Sequence, residues 1–262
     1  MKIGFIGGGN MGSALIGGLI KSGYIAADIT VCELNAVRRD ELSEMGVVVT
    51  DDAIHTESVS DIVIFAVKPN VIDSVLSEMN GYTDKIYISI AAGVSIAHLE
   101  KMLGLDKKIV RTMPNTPAQV GCGMTVVTPN NNMTETETKT VCELLSAVGE
   151  TEIMPEKFMS VATALHGSSP AYVYMMIDAM ADAGVAYGLT KQQALKLAAK
   201  AVEGSAKMVL ATGEHPEKLK DNVCSPGGTT IAAVCDLEQN GFRAAVQSAV
   251  SACVDKAEQM SK

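Results

Sequence analysis

A glycine-rich turn between a short apolar run and an amphipathic stretch is the strongest constraint on the fold of this chain. Residues 2–6 read as a buried strand and residues 13–20 as a helix, and the turn between them holds Gly7, Gly9 and Gly12. In a G-x-G-x-x-G turn the first glycine allows the tight turn and the second lets the backbone approach a pyrophosphate. The third glycine lets the helix pack closely on the strand. A strand before the turn and a helix after it predict a dinucleotide site.

Strands alternate with helices in the first half of the chain. We expect strands at residues 2–6, 28–33, 47–49, 61–67, 85–90, 108–113, 124–128 and 150–154. We expect helices at residues 13–20, 36–45, 95–103 and 135–147, with a further helix starting at Pro69. This alternation is typical of a parallel sheet with crossover helices. The predicted fold class is therefore α/β, with a doubly wound parallel sheet.

The pattern changes near Met154, because the residues that follow show helical periodicity and no strand pattern. Helices are expected at residues 172–187, 191–210, 231–237 and 242–260. The first of these is apolar nearly all round, as expected for a helix buried on every side. Such a helix is too apolar for the surface of a single chain and suggests a subunit interface. We therefore expect two domains, residues 1–154 and an all-α domain at residues 155–262.

Composition and charge exclude several classes of protein. Hydrophobic residues make up 47% of the chain and charged residues 19%, which is typical of a globular protein. The net charge is −9, so nucleic acid and anionic membranes are poor partners. No apolar run approaches the ~20 residues of a membrane helix, and the first residues lack the basic start of a signal peptide. The six cysteines form no C-x-x-C pair, so we expect reduced thiols in a cytoplasmic protein.

The choice of dinucleotide is left open by the turn after the second predicted strand. Glu33 lies near the position where an acid holds the ribose 2′-hydroxyl of NAD. Asn35, Arg38 and Arg39 follow and could bind the 2′-phosphate of NADP instead. A carboxylate facing that phosphate would repel it, so NADP binding requires Glu33 to turn away. The two arginines are equally consistent with a solvated helix face.

A second candidate site lies in the helical half, at residues 222–230. Proline and two glycines break the chain there, and a helix then starts with Thr229 and Thr230. Unpaired N–H groups and two hydroxyls in a first turn suit a carboxylate, although a capped helix start without a ligand gives the same pattern. His166 reads as a loop residue rather than a catalyst. The sequence shows no Ser-His-Asp order and no cluster with metal-ligand spacing, so no metal is expected.

These motifs resemble the pyrroline-5-carboxylate reductases, which catalyse the last step of proline synthesis, along essentially the whole chain. The resemblance is carried by GFIGGGNMG at residues 4–12, AVKP at 66–69, AAG at 91–93, MPNTP at 113–117, GSSPAYVY at 167–174 and LKDNVCSPGGTT at 219–230. The first motifs are shared with other dehydrogenases of this architecture. The last one, with GSSPAY before it, is the specific one.

The resemblance implies reduction of the cyclic imine 1-pyrroline-5-carboxylate to L-proline, with NADPH as hydride donor and NADH as an alternative because of Glu33. It implies an N-terminal Rossmann domain and a helical domain that interlocks with a second subunit, in a homodimer or a larger homo-oligomer. The residues expected to hold the cofactor are Ile6, Gly7, Gly8, Gly9, Asn10, Met11, Gly12, Asn35, Arg38, Ala66, Val67, Lys68, Pro69, Ala91, Ala92, Gly93 and Asn222. Those expected to hold the substrate are Glu156, near its nitrogen, and Gly228, Thr229 and Thr230, on its carboxylate.

Catalysis in such a site would consist mainly of orienting the imine carbon against the nicotinamide. Thr230 is the first candidate for a donor near the imine nitrogen, and Ser225 is the second. A β-hydroxyacid-type dehydrogenase is the alternative enzyme, and it would need a catalytic lysine such as Lys191 or Lys196. A catalytically inactive dinucleotide-binding sensor is the third interpretation. The chain departs from the family pattern at Glu33, Ala53, His166 and Ser169.

Overall fold

An eight-stranded sheet organises the first part of the chain in the computed structural model, which describes residues 1–260. The strands are β1 (Ile3–Ile6), β2 (Ile29–Cys32), β3 (Val48–Thr50), β4 (Ile62–Phe65), β5 (Ile86–Ser89), β6 (Lys108–Met113), β7 (Gly123–Pro129) and β8 (Gly149–Ile153). Their order in the sheet is β3-β2-β1-β4-β5-β6-β7-β8. The order reverses at β1 and β4, where the loops after the strands diverge. A doubly wound sheet binds its ligand in the crevice at this point.

Helices cover the sheet and form the rest of the chain. Those of the first part are α1 (Asn10–Lys21), α2 (Ala36–Glu44), α3 (Ala53–Val59), α4 (Ile72–Leu76), α5 (Ile96–Leu103), α6 (Glu135–Leu145) and α7 (Met159–Ala162). Those that follow are α8 (Ser169–Ala186), α9 (Lys191–Thr212), α10 (Pro216–Val223), α11 (Thr229–Gln239) and α12 (Phe242–Met260). The predicted fold class, an α/β sheet followed by an all-α part, is confirmed.

The central strands are buried from end to end. Every residue of β1, β2, β4 and β5 is buried, and Phe5, Val31, Ile64 and Ile88 have no exposed surface. Continuous apolar strands are typical of a parallel sheet with both faces covered. The register aligns Ile6 of β1 with Cys32 of β2 and with Phe65 of β4. The loops after these three strands therefore start side by side.

One pairing departs from the expected parallel sheet. Strand β7 runs antiparallel to β6, with Val110 opposite Pro129, whereas every other neighbouring pair is parallel. The reason is the connection, since residues 114–122 hold only a 3-10 turn at Thr116–Val120. A crossover between parallel strands needs a dozen or more residues, usually including a helix. The chain therefore folds back beside β6 as an antiparallel neighbour.

Four helices differ from those expected, and the short helix α7 is one that was missed. Helix α3 was missed, and its start is fixed by Asp52, whose carboxylate accepts from His55 N at 2.8 Å. Helix α10 was also missed, although Pro216 occupies its first position, where proline is favoured. Helix α4 starts at Ile72 rather than at Pro69, because Val71 N donates to Lys68 O at 2.9 Å and closes a separate turn.

The chain forms two compact units, one of residues 1–168 with 253–262 and the other of residues 169–252. Residues 155–168 belong to the first unit, where Met159 and Ala162 pack with Val126 in a small apolar cluster. The division therefore falls after Ser168, the second residue of the GSSPAYVY motif. The domain limits at residues 154 and 155 stay a prediction.

The helical unit buries little apolar surface by itself. Among its residues, 169–252, the buried hydrophobic ones are Ala181, Ala194 and Ala198. Helix α8 exposes Met175 at 73% although it is apolar nearly all round, and Tyr187 after it is 92% exposed. The expectation that this helix is buried on every side is therefore wrong for a single chain. Its exposed apolar side chains are what the predicted subunit interface would need.

Candidate functional site

Two glycines of the turn after β1 are required by the fold. Gly7 has a φ of 99°, and a Cβ added there would lie 2.7 Å from the carbonyl oxygen of Ala66. A Cβ on Gly12 would lie 2.8 Å from the carbonyl oxygen of Gly7. Both distances are shorter than any real Cβ contact, so the chain passes too close for a side chain. The predicted tight turn and close helix packing are therefore present.

Gly9 differs from these two because nothing in the chain requires a glycine there. Its φ is −65° and its ψ is −172°, which any residue can adopt. A Cβ added to Gly9 would have no neighbouring atom within 4 Å. Gly9 caps α1 without a side-chain hydrogen bond, and the first turn of that helix holds no acidic residue. A helix start of this kind can bind an anion through its backbone N–H groups, here those of Asn10 and Met11.

A cavity of about 390 Å³ lies beside this turn and brings several expected cofactor residues together. The expected residues that line it are Ile6, Gly7, Gly9, Ala66, Val67 and Lys68. The lining also includes residues that were not expected, on and near α4: Val71, Ser74, Val75 and Glu78. Their signal in the sequence is only their position after AVKP. The cavity lies at the carboxyl ends of β1, β2 and β4, as the placement rule for doubly wound sheets requires.

The loop after β5, at residues 91–93, does not line this first cavity. Ala91 is buried, whereas Ala92 and Gly93 line a second cavity of about 320 Å³ together with Pro69. Gly93 has a φ of 79°, and a Cβ there would lie 3.2 Å from the carbonyl oxygen of Met260. The loop is followed by Ser95, whose hydroxyl accepts from His98 N at 3.2 Å and caps α5.

Hydrogen bonds fix the turn after β2. The Glu33 carboxylate accepts from Gly8 N and from Asn35 N, both at 2.9 Å. The Asn35 side chain accepts from Arg38 N at 3.1 Å and caps α2. The Arg38 side chain donates through Nε to the carbonyl oxygen of Gly8 at 2.8 Å and through Nη2 to the Ser13 hydroxyl at 2.6 Å. The turn is therefore built into the glycine loop rather than free in solvent.

The second candidate site consists of the loop at residues 225–228 and the helix start that follows it. Gly228 N donates to Ser225 O at 3.0 Å, and a Cβ on Gly228 would lie 2.3 Å from the Ser225 hydroxyl. Helix α11 then starts at Thr229, without a side-chain cap and without an acidic residue in its first turn. Thr230 is half-buried in that turn. Asn222 is exposed near the end of α10, in the same unit.

Glu156 makes contacts that the sequence did not predict. Its carboxylate oxygen Oε1 accepts from Ile96 N and from Nη1 of Arg111, both at 2.8 Å. The Arg111 side chain is 8% exposed and the Glu156 side chain 33% exposed. The carboxylate therefore joins β6 to the start of α5. Whether Glu156 also meets a substrate nitrogen stays a prediction.

His166 lies in a π-helical turn, Thr163–Gly167, rather than in a loop. Its Nδ1 is 2.5 Å from Ala162 O and its Nε2 is 2.7 Å from Met113 O. The Asn115 side chain donates to the carbonyl oxygen of His166 at 3.0 Å. These contacts connect the MPNTP loop to the turn that precedes α8. They give His166 a structural role that requires no part in catalysis.

Other kinds of site find no support in residues 1–260. Among these residues, no group of three His, Cys, Asp or Glu side chains could hold a metal ion. None of the helices within them is long and apolar enough to cross a membrane. The six cysteines are all unpaired. Lys191, the lysine considered for a β-hydroxyacid-type dehydrogenase, is bound at 2.6 Å by Asp178 and by Asp182.

Two family models match the chain. The model described as NADP oxidoreductase coenzyme F420-dependent matches residues 2–93, which contain the glycine turn and the loops after β2, β4 and β5. The model described as pyrroline-5-carboxylate reductase dimerisation matches residues 156–260. The match includes α8 to α12 and thus the exposed apolar surface of α8.

Relatives and solved structures match the chain along its whole length. The pyrroline-5-carboxylate reductase of Escherichia coli (strain K12) is 49% identical over 265 residues, covering 100% of this chain and 98% of that protein. The pyrroline-5-carboxylate reductase structure from Coxiella burnetii has a TM-score of 0.93 at 35% identity, covering 100% and 98% of the two chains. The Plasmodium falciparum pyrroline carboxylate reductase, solved with NADP bound, has a TM-score of 0.89 at 34% identity over 100% and 98%. The chain therefore belongs to the pyrroline-5-carboxylate reductase family.

Proposed function

We propose that the protein reduces 1-pyrroline-5-carboxylate to L-proline by hydride transfer from NAD(P)H. The observation that carries the proposal is a pair of helix starts, at Gly9 and at Gly228, that have no side-chain cap and no acidic residue in the first turn. Each offers backbone N–H groups to an anion. A dinucleotide brings a pyrophosphate and the imine brings a carboxylate, so the substrate pair supplies one anion for each helix start.

The residues around the glycine turn fit a dinucleotide. The open space at Gly9 admits a pyrophosphate against the first turn of α1, and the loops at residues 66–69 and 91–93 offer small or rigid backbone to the nicotinamide ribose. When bound, NAD(P)H supplies the hydride for the imine carbon. We assign the cofactor role to Ile6–Met11, Gly12, Ala66–Pro69 and Ala91–Gly93, with Asn222 as a contributor from the helical unit.

The helical unit is assigned to the substrate. The first turn of α11, at Gly228, Thr229 and Thr230, would hold the substrate carboxylate by backbone N–H and hydroxyl donors. The carbon–nitrogen double bond gains a hydride at carbon and a proton at nitrogen, and both the ring and the carboxylate remain intact. Thr230 is the proposed donor near that nitrogen, with Ser225 as the second candidate. Such imines are basic enough to carry the proton themselves in part, so orientation is the main contribution of the protein.

The assembly is part of the proposal. The dimerisation model covers residues 156–260, and the exposed side chains of α8 supply an apolar surface for a second copy of the chain. We propose a homodimer through these helices, in the cytoplasm, with larger homo-oligomers built from it. An inactive dinucleotide-binding sensor is the competing function, and the uncapped start of α11 argues against it because a sensor needs no substrate carboxylate site.

The test is NADPH and NADH oxidation with pyrroline-5-carboxylate as substrate. We expect turnover in the wild type, and we expect Thr230→Ala to lower kcat/KM by about tenfold or more. Thr230→Ser keeps the hydroxyl and should restore most of the activity, which controls for packing. No turnover in the folded wild type would refute the function. Unchanged kcat/KM in Thr230→Ala would refute only the donor role.

A further inference from the structure

The Glu33 carboxylate is fixed at the edge of the nucleotide cavity. Its two oxygens each accept one backbone N–H, from Gly8 and from Asn35, at 2.9 Å. A carboxylate offers about four lone-pair positions, so each oxygen keeps one position for another donor. Glu33 lines the cavity together with Gly7 and Gly9. Because both oxygens are held from the chain, the side chain is not free to turn away from a bound nucleotide.

The neighbouring arginines are already engaged elsewhere. Arg38 donates to the carbonyl oxygen of Gly8 at 2.8 Å and is ion-paired with Glu41 on its own helix. Arg39 donates through Nη1 to the carbonyl oxygen of Glu33 at 2.8 Å. Neither arginine lines the cavity, whereas Lys68 does. The two cations expected for a 2′-phosphate therefore support the turn itself.

The charge at this edge of the sheet is negative. The cavity is lined by the carboxylates of Glu33, Asp51 and Glu78 and by a single cation, Lys68. The thiol of Cys32, at the end of β2, is exposed to the same negative electrostatic potential. Burial is the largest cause and the nearby carboxylates of Glu33, Asp52 and Asp51 add to it; together they raise the pKa of the thiol to about 11 against the opposing effect of Arg39.

We infer that Glu33 is a specificity-determining residue that favours a free ribose 2′-hydroxyl and disfavours a 2′-phosphate, so that this chain uses NADH in preference to NADPH. The inference rests on the proposed dinucleotide role of the cavity. A hydroxyl can donate to the remaining lone pairs of the fixed carboxylate. A phosphate offers no donor there, and its charge adds to the repulsion from the carboxylates already present.

The experiment measures binding of two adenosine fragments that differ only at the 2′ position. Adenosine 5′-monophosphate and adenosine 2′,5′-bisphosphate are titrated calorimetrically into the full-length wild type and into Glu33→Gln. Glu44→Gln is the matched control, because Glu44 is exposed on α2 and its loss changes the net charge equally. Glu33→Ser is a second variant, and thermal unfolding of each protein shows that it folds.

We expect the wild type to bind the monophosphate more tightly. In Glu33→Gln and Glu33→Ser, the affinity ratio should move by about tenfold toward the bisphosphate. The wild-type preference should also weaken with added salt, because salt screens the repulsion. The Glu44→Gln ratio should equal that of the wild type.

Three results would overturn the inference. They are a wild type that prefers the bisphosphate, a ratio that Glu33→Gln and Glu33→Ser leave unchanged, and a wild type that binds neither fragment. Failure of the proposed reaction would look different, because the fragments would still bind while pyrroline-5-carboxylate would not be turned over.

Discussion

Replacing Gly9 by alanine should separate cofactor binding from folding. The open space around this residue and its ordinary backbone conformation mean that a methyl group meets no atom of the chain. The same methyl group would project into the space that the proposed pyrophosphate needs. Gly9→Ala should therefore leave the free protein intact and weaken its dinucleotide affinity.

The magnitudes follow from the geometry at each position. For folding, alanine lowers the conformational entropy of the unfolded chain, which stabilises the protein by about 0.4–1 kcal/mol. This gain opposes the poorer N-cap that alanine makes. The net change in the free energy of unfolding should therefore stay within about 1 kcal/mol. For binding, a methyl group forced into a close contact costs about 1–3 kcal/mol, which raises Kd by roughly 5- to 150-fold.

Two other glycines of α1 provide the controls. At Gly12 a Cβ would lie 2.8 Å from Gly7 O, so Gly12→Ala should destabilise the free protein by about 1–3 kcal/mol as well as weaken binding. At Gly17 the nearest atom to an added Cβ is 3.6 Å away, on Met45. Gly17→Ala should therefore stabilise the helix by up to about 1 kcal/mol and leave binding unchanged.

Urea denaturation of the free proteins and calorimetric titration with NADH and NADPH measure the two quantities separately. A Gly9→Ala protein that folds normally and binds both dinucleotides within about twofold of the wild type would refute the reasoning, since the open space would then not hold a pyrophosphate.

Two further predictions concern carboxylates outside the glycine turn. Glu156→Gln leaves the nearly buried Arg111 without its counter-charge and should lower the free energy of unfolding by about 2 kcal/mol. If the Glu156→Gln protein is still folded under the assay conditions, a rise in its KM for pyrroline-5-carboxylate would support a substrate role for Glu156. Urea denaturation measures the stability, and steady-state kinetics measures KM. In Glu137, bonds from Lys108 and then from Thr134 lower the carboxyl pKa from 4.5 to about 2. Its stabilisation, about 1 kcal/mol, should be present above pH 4.5 and lost as the pH falls toward 2. The stability gap between wild type and Glu137→Gln, followed by urea denaturation against pH, should close in that window, and a gap constant with pH would contradict the assignment.

Short-range patterns predicted most of the fold because they encode local structure directly. The apolar runs that became β1 and β4 and the serine that caps α5 are read from neighbouring residues. The antiparallel strand β7 could also have been predicted, since residues 114–122 are too few for a crossover. Helix α3 was missed because AIHTESV has no clear apolar stripe, and its start depends on the Asp52 cap.

The candidate site was predictable only where it depends on local backbone. The spacing of Gly7, Gly9 and Gly12 gave their positions, but it could not distinguish the two that the fold needs from the one that it does not. For Gly7 that distinction comes from the carbonyl oxygen of Ala66, far along the chain. The fixed orientation of Glu33 likewise depends on the register that places Cys32 beside Ile6, which no local pattern encodes.

The few buried side chains of the helical unit bear on how the protein behaves on dilution. Three buried alanines contribute little of the apolar area that normally holds helices together. In the proposed homodimer, apolar area that is exposed in the single chain becomes buried when another copy binds, so association would supply free energy that an isolated chain lacks. The unfolding midpoint should therefore rise with protein concentration. Strong dilution should then inactivate the protein by loosening α8 and its neighbours, even though the sheet and its glycine turn remain folded.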